Sequence, residues 1–265
     1  MRALIISDLH ANLEAVRALP EDYDQLWVLG DLVNYGPDPA AVIEFVRARA
    51  AVVVRGNHDH AIGFGEDPRC SPRFRAMAEE MRRYTMTVVS EEDRQYLRGL
   101  PLHTAFEAEG ARFFLCHAAP SDPLYEYRRQ DSPLWLSDAP DTAVDFVLVG
   151  HTHLPYRRAV ESRLIVNPGS VGQPKHGRPE ACYALWEDGK LTLASAPYDV
   201  EKTIAKLQRL PLSTEPLAGR HCASGAAALP HGSGNSQVLD AGEVFRDLAF
   251  VLRHGTGNSR APARQ

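Results

Sequence analysis

Ala3-Leu4-Ile5-Ile6-Ser7-Asp8-Leu9-His10 decides the reading of this chain. A short apolar run, suited to a strand buried on both faces, leads directly into a carboxylate and an imidazole two positions apart. In extended backbone residues i and i+2 point the same way, so Asp8 and His10 can reach one cation together. The same arrangement recurs along the chain. Leu26 to Leu29 leads into Gly30-Asp31, and Val52 to Val54 into Gly56-Asn57-His58-Asp59. Phe113 to Cys116 leads into His117, and Phe146 to Val149 into Gly150-His151-Thr152-His153. Carboxylate, imidazole and amide ligands at successive strand ends can converge on one point, where they would hold a pair of divalent metal ions.

The stretches between these runs predict the fold class. Asn12 is placed to cap a helix carrying Leu13, Val16 and Leu19 on one face, which Pro20 ends. Asp38 and Pro39 open a second helix as N-cap and first helical residue. Strand, helix and strand in alternation predict an α/β layered fold with right-handed crossovers. Residues 61–110 read as helical and surface-rich, with Ser90 and Asp93 as a capping box. Arg163 to Val166, Ala181 to Trp186 and Lys190 to Ala194 read as strands without intervening helices, the last two joined as a hairpin at Glu187-Asp188-Gly189. A mostly parallel first half thus meets an antiparallel second half, and two sheets packed face to face with helices outside fit best. Asp199 to Leu210 predicts a helix. Beyond it, 211–237 reads as a low-complexity linker, Val238 to His254 as one amphipathic helix, and the end of the chain as a disordered tail. The expected units are therefore 1–210, 211–237 and 238–265.

Composition bounds the function. The chain has 265 residues, 44% of them hydrophobic, enough for a real core. A net charge of −5 argues against bulk attraction to nucleic acid or anionic membrane. Cys70, Cys116, Cys182 and Cys222 are widely spaced without a C-x-x-C pair, which disfavours a disulfide scaffold or zinc ribbon. No apolar stretch approaches the ~20 residues that span a bilayer, and the first strand begins too early for a signal peptide. The expectation is a soluble, cytoplasmic protein with no membrane contact.

Each cluster alone is weak. Asp8 could cap a helix, Asp31 could be a turn residue, Gly56-Asn57 is a common turn dipeptide, and His117 could be a hydrogen-bonded core histidine. Together they form an ordered series in which every cluster follows a strand, and independent explanations would need five coincidences. A two-metal hydrolytic centre explains them at once.

The ordered set resembles the calcineurin-like metallophosphoesterase superfamily. Within it, the runs Ser7-Asp8-Leu9-His10-Ala11-Asn12, Gly30-Asp31-Leu32-Val33-Asn34-Tyr35-Gly36 and Asn167-Pro168-Gly169-Ser170-Val171-Gly172 are similar to the small bacterial and archaeal YfcE-type phosphodiesterases. The resemblance covers roughly residues 1–210 and implies a four-layer α/β/β/α sandwich of two mixed sheets. It implies that Asp8, His10 and His153 bind one metal, that Asn57, His117 and His151 bind the other, and that Asp31 bridges them together with a water or hydroxide nucleophile. His58 would protonate the leaving alkoxide, and Asn57 could also touch phosphate through its amide. The cofactor would be two divalent ions, manganese first, with iron, nickel, cobalt or zinc as alternatives. In the protein phosphatases of the superfamily an aspartate and an arginine stand where this chain has Asn34 and Tyr35. Asn34 cannot stabilise an imidazolium with a full charge, and Tyr35 cannot grip a dianion bidentately. Both departures favour a diester and fit the YfcE-type branch.

The expected activity is metal-dependent hydrolysis of a small phosphodiester or nucleotide. The enzymatic alternatives are a phosphomonoesterase and a dinucleotide polyphosphate hydrolase. A different class is the non-catalytic scaffold, because a retromer subunit keeps this fold with a degraded metal site. Retention of all seven ligand positions and of His58 speaks against it. Nucleic acid is not an expected substrate, and a homodimer through an apolar sheet edge is an open expectation. His176 reads as a solvated loop residue, Asp59 as support for the turn, and the 61–110 insertion as a source of substrate recognition.

Overall fold

The computed structural model describes residues 1–70, 74–138, 140, 143–212 and 241–254. The strands in chain order are β1 (Ala3–Ile6), β2 (Gln25–Val28), β3 (Ala50–Val53), β4 (His103–Ala108), β5 (Ala111–Cys116), β6 (Phe146–Leu148), β7 (Tyr156–Val160), β8 (Arg163–Asn167), β9 (Glu180–Glu187) and β10 (Lys190–Pro197). The α-helices are α1 (Leu13–Arg17), α2 (Pro39–Arg49), α3 (Asn57–Phe64), α4 (Arg75–Val88), α5 (Glu91–Gly99), α6 (Val200–Leu207) and α7 (Ala241–His254). Two five-stranded mixed sheets result, ordered β10-β9-β1-β2-β3 and β4-β5-β6-β8-β7. β1, β2 and β3 are parallel, as are β5, β6 and β8; β9, β4 and β7 run antiparallel to the neighbouring strands of these sets, and β10 runs antiparallel to β9. The antiparallel hairpin β9–β10 therefore joins the first sheet beside β1, so both sheets are mixed and the two halves of the chain share the first.

Alternation along β1 shows why the layers form. Ala3 and Ile5 join Trp27, Leu29, Phe113, Leu115, Leu148 and Trp186 in the core between the sheets. Leu4 and Ile6 turn the other way, onto Val16 of α1 and Val42, Ile43 and Val46 of α2. A strand buried on both faces needs an unbroken apolar run, which is what β1 carries. On the outer face of the second sheet, Phe114, Cys116, Val147, Val149 and Ile165 are covered by Trp135. That residue sits in a 3-10 turn at Pro133–Leu136, so this fourth layer is thin and largely irregular.

Several local expectations hold and two need correction. Asn12 caps α1, accepting from the Ala15 N–H at 3.3 Å, and Ser90 with Asp93 closes the capping box of α5. Asp188 and Gly189 take φ of 51° and 71°, the left-handed pair of a tight hairpin. Asp38 is the N-cap residue of α2 but makes no side-chain cap bond. Its carboxylate accepts instead from Lys206 Nζ at 2.8 Å, which ties α2 to α6. The second correction is within 61–110: after α3, α4 and α5 the chain forms the edge strand β4 rather than more helix. In β4 only alternate residues are partly buried, so it carries no apolar run to read.

The expected C-terminal helix spans Ala241–His254 and packs Leu248 and Leu252 with Tyr35, Met77, Met81, Ile204 and Leu207. Residues 213–240 and 255–265, which include most of the expected linker and the whole expected tail, lie outside the described residues. No described helix is long and apolar enough to cross a membrane.

Candidate metal centre

The parallel strands of both sheets end at the same side, and their exit loops are laced together. Asp8 N–H donates to the Gly30 carbonyl at 3.0 Å, and His10 N–H to the Asp31 carbonyl at 2.9 Å. Between the sheets, the His151 N–H donates to Asp8 Oδ2 at 3.1 Å, and within the second sheet the Gly150 N–H donates to the His117 carbonyl at 2.7 Å. Asp8, His10, Asp31, His151 and His153 all have left-handed φ, between 44° and 64°. Non-glycine residues adopt that region at a cost and persist there only where neighbours over-determine them. The strain is concentrated on the expected ligands.

All seven expected ligands meet. Asp8, His10 and His153 offer ligand atoms within 4.8 Å of one another, and so do Asp31, His117 and His151. Asn57 Oδ1 joins the second group, 3.1 Å from His117 Nε2. Asp31 Oδ2 faces both groups, 3.2 Å from His117 Nε2 and 3.8 Å from His10 Nε2. Asp31 Oδ1 accepts the His58 N–H at 2.9 Å, which holds the carboxylate across the gap.

Proton counting tests whether these residues suit cations. The Nδ1 of His10 lies 3.2 Å from the Val33 carbonyl and that of His153 lies 2.7 Å from the Gln173 carbonyl, so each must carry the ring proton. Their Nε2 atoms then face each other at 3.1 Å as two lone pairs with no proton between them. Burial holds His10 down at about 3 and His153 well below the ordinary histidine range, so neither supplies the missing proton. Asp8 Oδ1 is buried beside them, 3.3 Å from His153 Nε2, and has no hydrogen-bond partner. A cation relieves both defects, and backbone-tethered imidazoles are the usual support of metal ligands. In the second group His117 Nδ1 donates to the Leu29 carbonyl at 2.8 Å. Burial opposes its charge, yet the Asp31 and Asp8 carboxylates push its pKa up to about 9, so in the metal-free protein a proton stands where a metal would. Oxygen and imidazole donors suit several first-row ions.

The residues around the ligands have legible roles. Asp59 supports the turn, as expected: Oδ2 accepts from the Asp31 and Gly56 N–H groups at 2.8 and 3.0 Å and Oδ1 from Leu32 N–H at 2.8 Å. Burial, with the nearby Asp31 charge, raises its pKa to about 7. The 167–172 run ties the ligand loops together. Ser170 Oγ donates to the Asp8 carbonyl at 2.7 Å, and Asn167 Nδ2 to the Gly150 carbonyl at 2.5 Å. Asn57 Nδ2 donates to the Pro68 carbonyl at 2.7 Å, committing one of its two amide hydrogens away from any phosphate. His176 is half-buried, 3.7 Å from Cys182 Sγ, and does not line the centre.

His58 is buried beside the metal groups, its ring 5.1 Å from that of His10. Asn34 Oδ1 accepts the Tyr35 N–H at 3.0 Å while Nδ2 donates to the Ala78 carbonyl at 3.3 Å, which settles how the amide is turned. Nδ2 also lies 2.7 Å from His58 Nδ1, so that nitrogen is the acceptor and a neutral His58 carries its proton on Nε2. Burial disfavours the charged ring, but the Cys70 and Asp31 charges outweigh it and raise the pKa above the ordinary histidine value.

The centre opens into a cavity of about 370 Å³ whose walls the sequence reading did not identify: Arg69, Cys70, Phe74, Tyr125, Tyr127 and Lys175. Arg69, Cys70 and Phe74 come from the 61–110 insertion. Lys175 follows the 167–172 run by three residues, in a chain with few lysines, and that was the available signal. A second groove of about 460 Å³ between α1 and α2 holds no histidine or cysteine.

Known proteins resemble this chain along most of its length. Residues 1–188 match the family described as the calcineurin-like phosphoesterase superfamily domain. An uncharacterized protein of Methanocaldococcus jannaschii is 31% identical over 232 residues, which is 78% of this chain and 93% of that one. The phosphodiesterase YfcE of Escherichia coli is 27% identical over 211 residues, 73% of this chain and 91% of its own. The crystal structure of a metallophosphoesterase from Sphaerobacter thermophilus superposes with a TM-score of 0.67 at 32% identity, covering 80% of this chain and 95% of that one.

Proposed function

The chain belongs to the calcineurin-like phosphoesterase superfamily, and from that premise we propose that it is a phosphodiesterase working with two divalent metal ions on a small phosphate ester. The observation that carries the proposal is Asp31, whose Oδ2 faces two triads of ligand atoms at once. Asp8, His10 and His153 would hold one ion, and Asn57, His117 and His151 the other. When bound, such a pair acidifies a water molecule and offsets negative charge on the phosphate.

The chain's own residues supply the rest. The backbone-tethered imidazoles orient the ligands without rearrangement during the reaction. His58 holds a proton at Nε2, on the ring edge turned away from Asn34, and lines the cavity. Hydrolysis adds the oxygen of water to phosphorus and breaks the bond to the leaving oxygen, which takes its proton from His58 Nε2. Tyr35 is buried with its hydroxyl 3.1 Å from Cys70 Sγ, so no guanidinium grips a dianion at that position. That favours a diester over a monoester.

The test is hydrolysis of bis-p-nitrophenyl phosphate against p-nitrophenyl phosphate by protein stripped with chelator and reloaded with Mn²⁺. The proposal expects faster cleavage of the diester, lost on chelation and restored by the metal. Preferential cleavage of the monoester would overturn the diester reading, and hydrolysis indifferent to chelation would overturn the metal centre.

A further inference from the structure

Lys175 is a cation beside the candidate centre with no carboxylate partner among the described residues. Its ammonium lies 5.5 Å from the Phe74 ring and forms no salt bridge among the described residues. The residue is half-buried, and a half-buried ammonium without a counter-ion is costly unless something else supplies negative charge. Arg69 lines the same cavity at an exposed position. Its guanidinium stacks on Tyr125, 4.1 Å from the ring centroid, and likewise makes no ion pair among the described residues.

Charge complementarity sharpens the point. The charge that two divalent ions keep beyond Asp8 and Asp31 is cancelled by a hydroxide nucleophile and one singly negative phosphodiester group. Lys175 and Arg69 then leave positive charge that a single phosphodiester does not answer. The cavity walls are also aromatic: Phe74, Tyr125 and Tyr127, the last 51% exposed at the mouth. Flat aromatic walls beside cations suit a base attached to phosphate.

We propose that Lys175 and Arg69 form a second anion site, which binds a phosphoryl group of the substrate other than the one hydrolysed. The substrate class is then a nucleoside carrying at least two phosphoryl groups, its base against the tyrosine walls. The inference rests on the phosphodiesterase reading and names the substrate that reading leaves open.

The test is a fluorescence-anisotropy titration of Mn²⁺-loaded protein with labelled ADP and labelled AMP, with bound metal measured in every sample. Wild type should bind ADP about tenfold or more tighter than AMP, as one added charge-assisted contact implies. Lys175→Met, which keeps the apolar stem over Phe74, combined with Arg69→Ala, should shrink that preference to near unity with metal content unchanged. Lys175→Arg should restore much of it. Arg69→Ala alone, at an exposed position, should move it in the same direction and less. Equal affinity for ADP and AMP in wild type, or a preference that survives in the double variant, overturns the second anion site. Hydrolysis of bis-p-nitrophenyl phosphate by the same wild-type sample separates the two ideas. Diester cleavage without an ADP preference removes only the second site, whereas failure to cleave any phosphate ester removes the hydrolase reading beneath it.

Discussion

The hydrogen bond from Asn34 Nδ2 to His58 Nδ1 places the His58 proton on Nε2 and denies the charged ring a carboxylate partner. Asn34→Asp should reverse that second effect. An aspartate accepts from an Nδ1–H and stabilises the imidazolium, so the His58 pKa rises. Activity that needs protonated His58 is lost as pH rises through that pKa, so the basic limb of kcat/KM should move to higher pH. An unmoved limb would mean that His58 is not the group titrating. His58→Ala should keep both ions, since the side chain is not a ligand. It should lose about 10²- to 10⁴-fold in turnover on alkyl phosphodiesters, the usual worth of a positioned acid, and far less on p-nitrophenyl esters, whose leaving group needs no proton. Wild-type rates on alkyl esters would end the general-acid role. The site was legible at this scale where a residue stood next to a strand end. The contact between Asn34 and His58 was legible only through the family resemblance, because it joins residues 24 positions apart that no local pattern links.

The strand-exit loops cross so closely that glycine is required at their contacts. A Cβ on Gly56 would lie 2.1 Å from Asp31 Oδ1 and 2.4 Å from Asp31 N. One on Gly150 would lie 1.9 Å from Ser7 Oγ and 2.9 Å from Asp8 Oδ2. Gly56→Ala should therefore displace the bridging carboxylate and weaken metal binding by about 10- to 100-fold, the range seen when a ligand's support is disturbed. Calorimetric Mn²⁺ titration of the variant checks this, and wild-type affinity would show that the loop yields without moving Asp31. The central strands were readable because burial on both faces demands unbroken apolar runs. Of the edge strands, β3 and β10 were read and β4 and β7 were not. β4 exposes or half-exposes every residue, and β7 places Arg157 and Arg158 at its middle, so neither carries the signal of a buried strand. The cavity walls escaped for a related reason: Arg69, Tyr127 and Lys175 sit on loops, where no periodicity marks which side chains turn inward.

Folding and metal loading are coupled across the whole molecule, because the centre joins the exit loops of both sheets. His117 has a folded-state pKa near 9, above its unfolded value. In metal-free protein its contribution to stability is fully present below the ordinary histidine pKa near 6.5 and disappears as pH rises toward 9. A metal must displace that proton, so loading at pH 7 should release it, and apparent Mn²⁺ affinity should climb with pH up to about 9. Calorimetry in buffers of different ionisation enthalpy measures the release, and none at pH 7 would mean that His117 is already neutral. Helix α7 is a second long-range tie: Leu248, buried with Tyr35 and Met81, reaches the neighbourhood of the centre from the far end of the chain. Leu248→Ala should cost about 2–4 kcal/mol in denaturant unfolding, as for other buried leucines. A cost below ~0.5 kcal/mol, as at an exposed site, would show that the helix is not held there. The most direct test of the account is the number of Mn²⁺ ions retained per chain after stripping, reloading and dialysis, read by atomic absorption. Two ions per chain, falling when Asp31 is replaced by alanine, is the predicted result; one ion or none in the wild-type protein would contradict it.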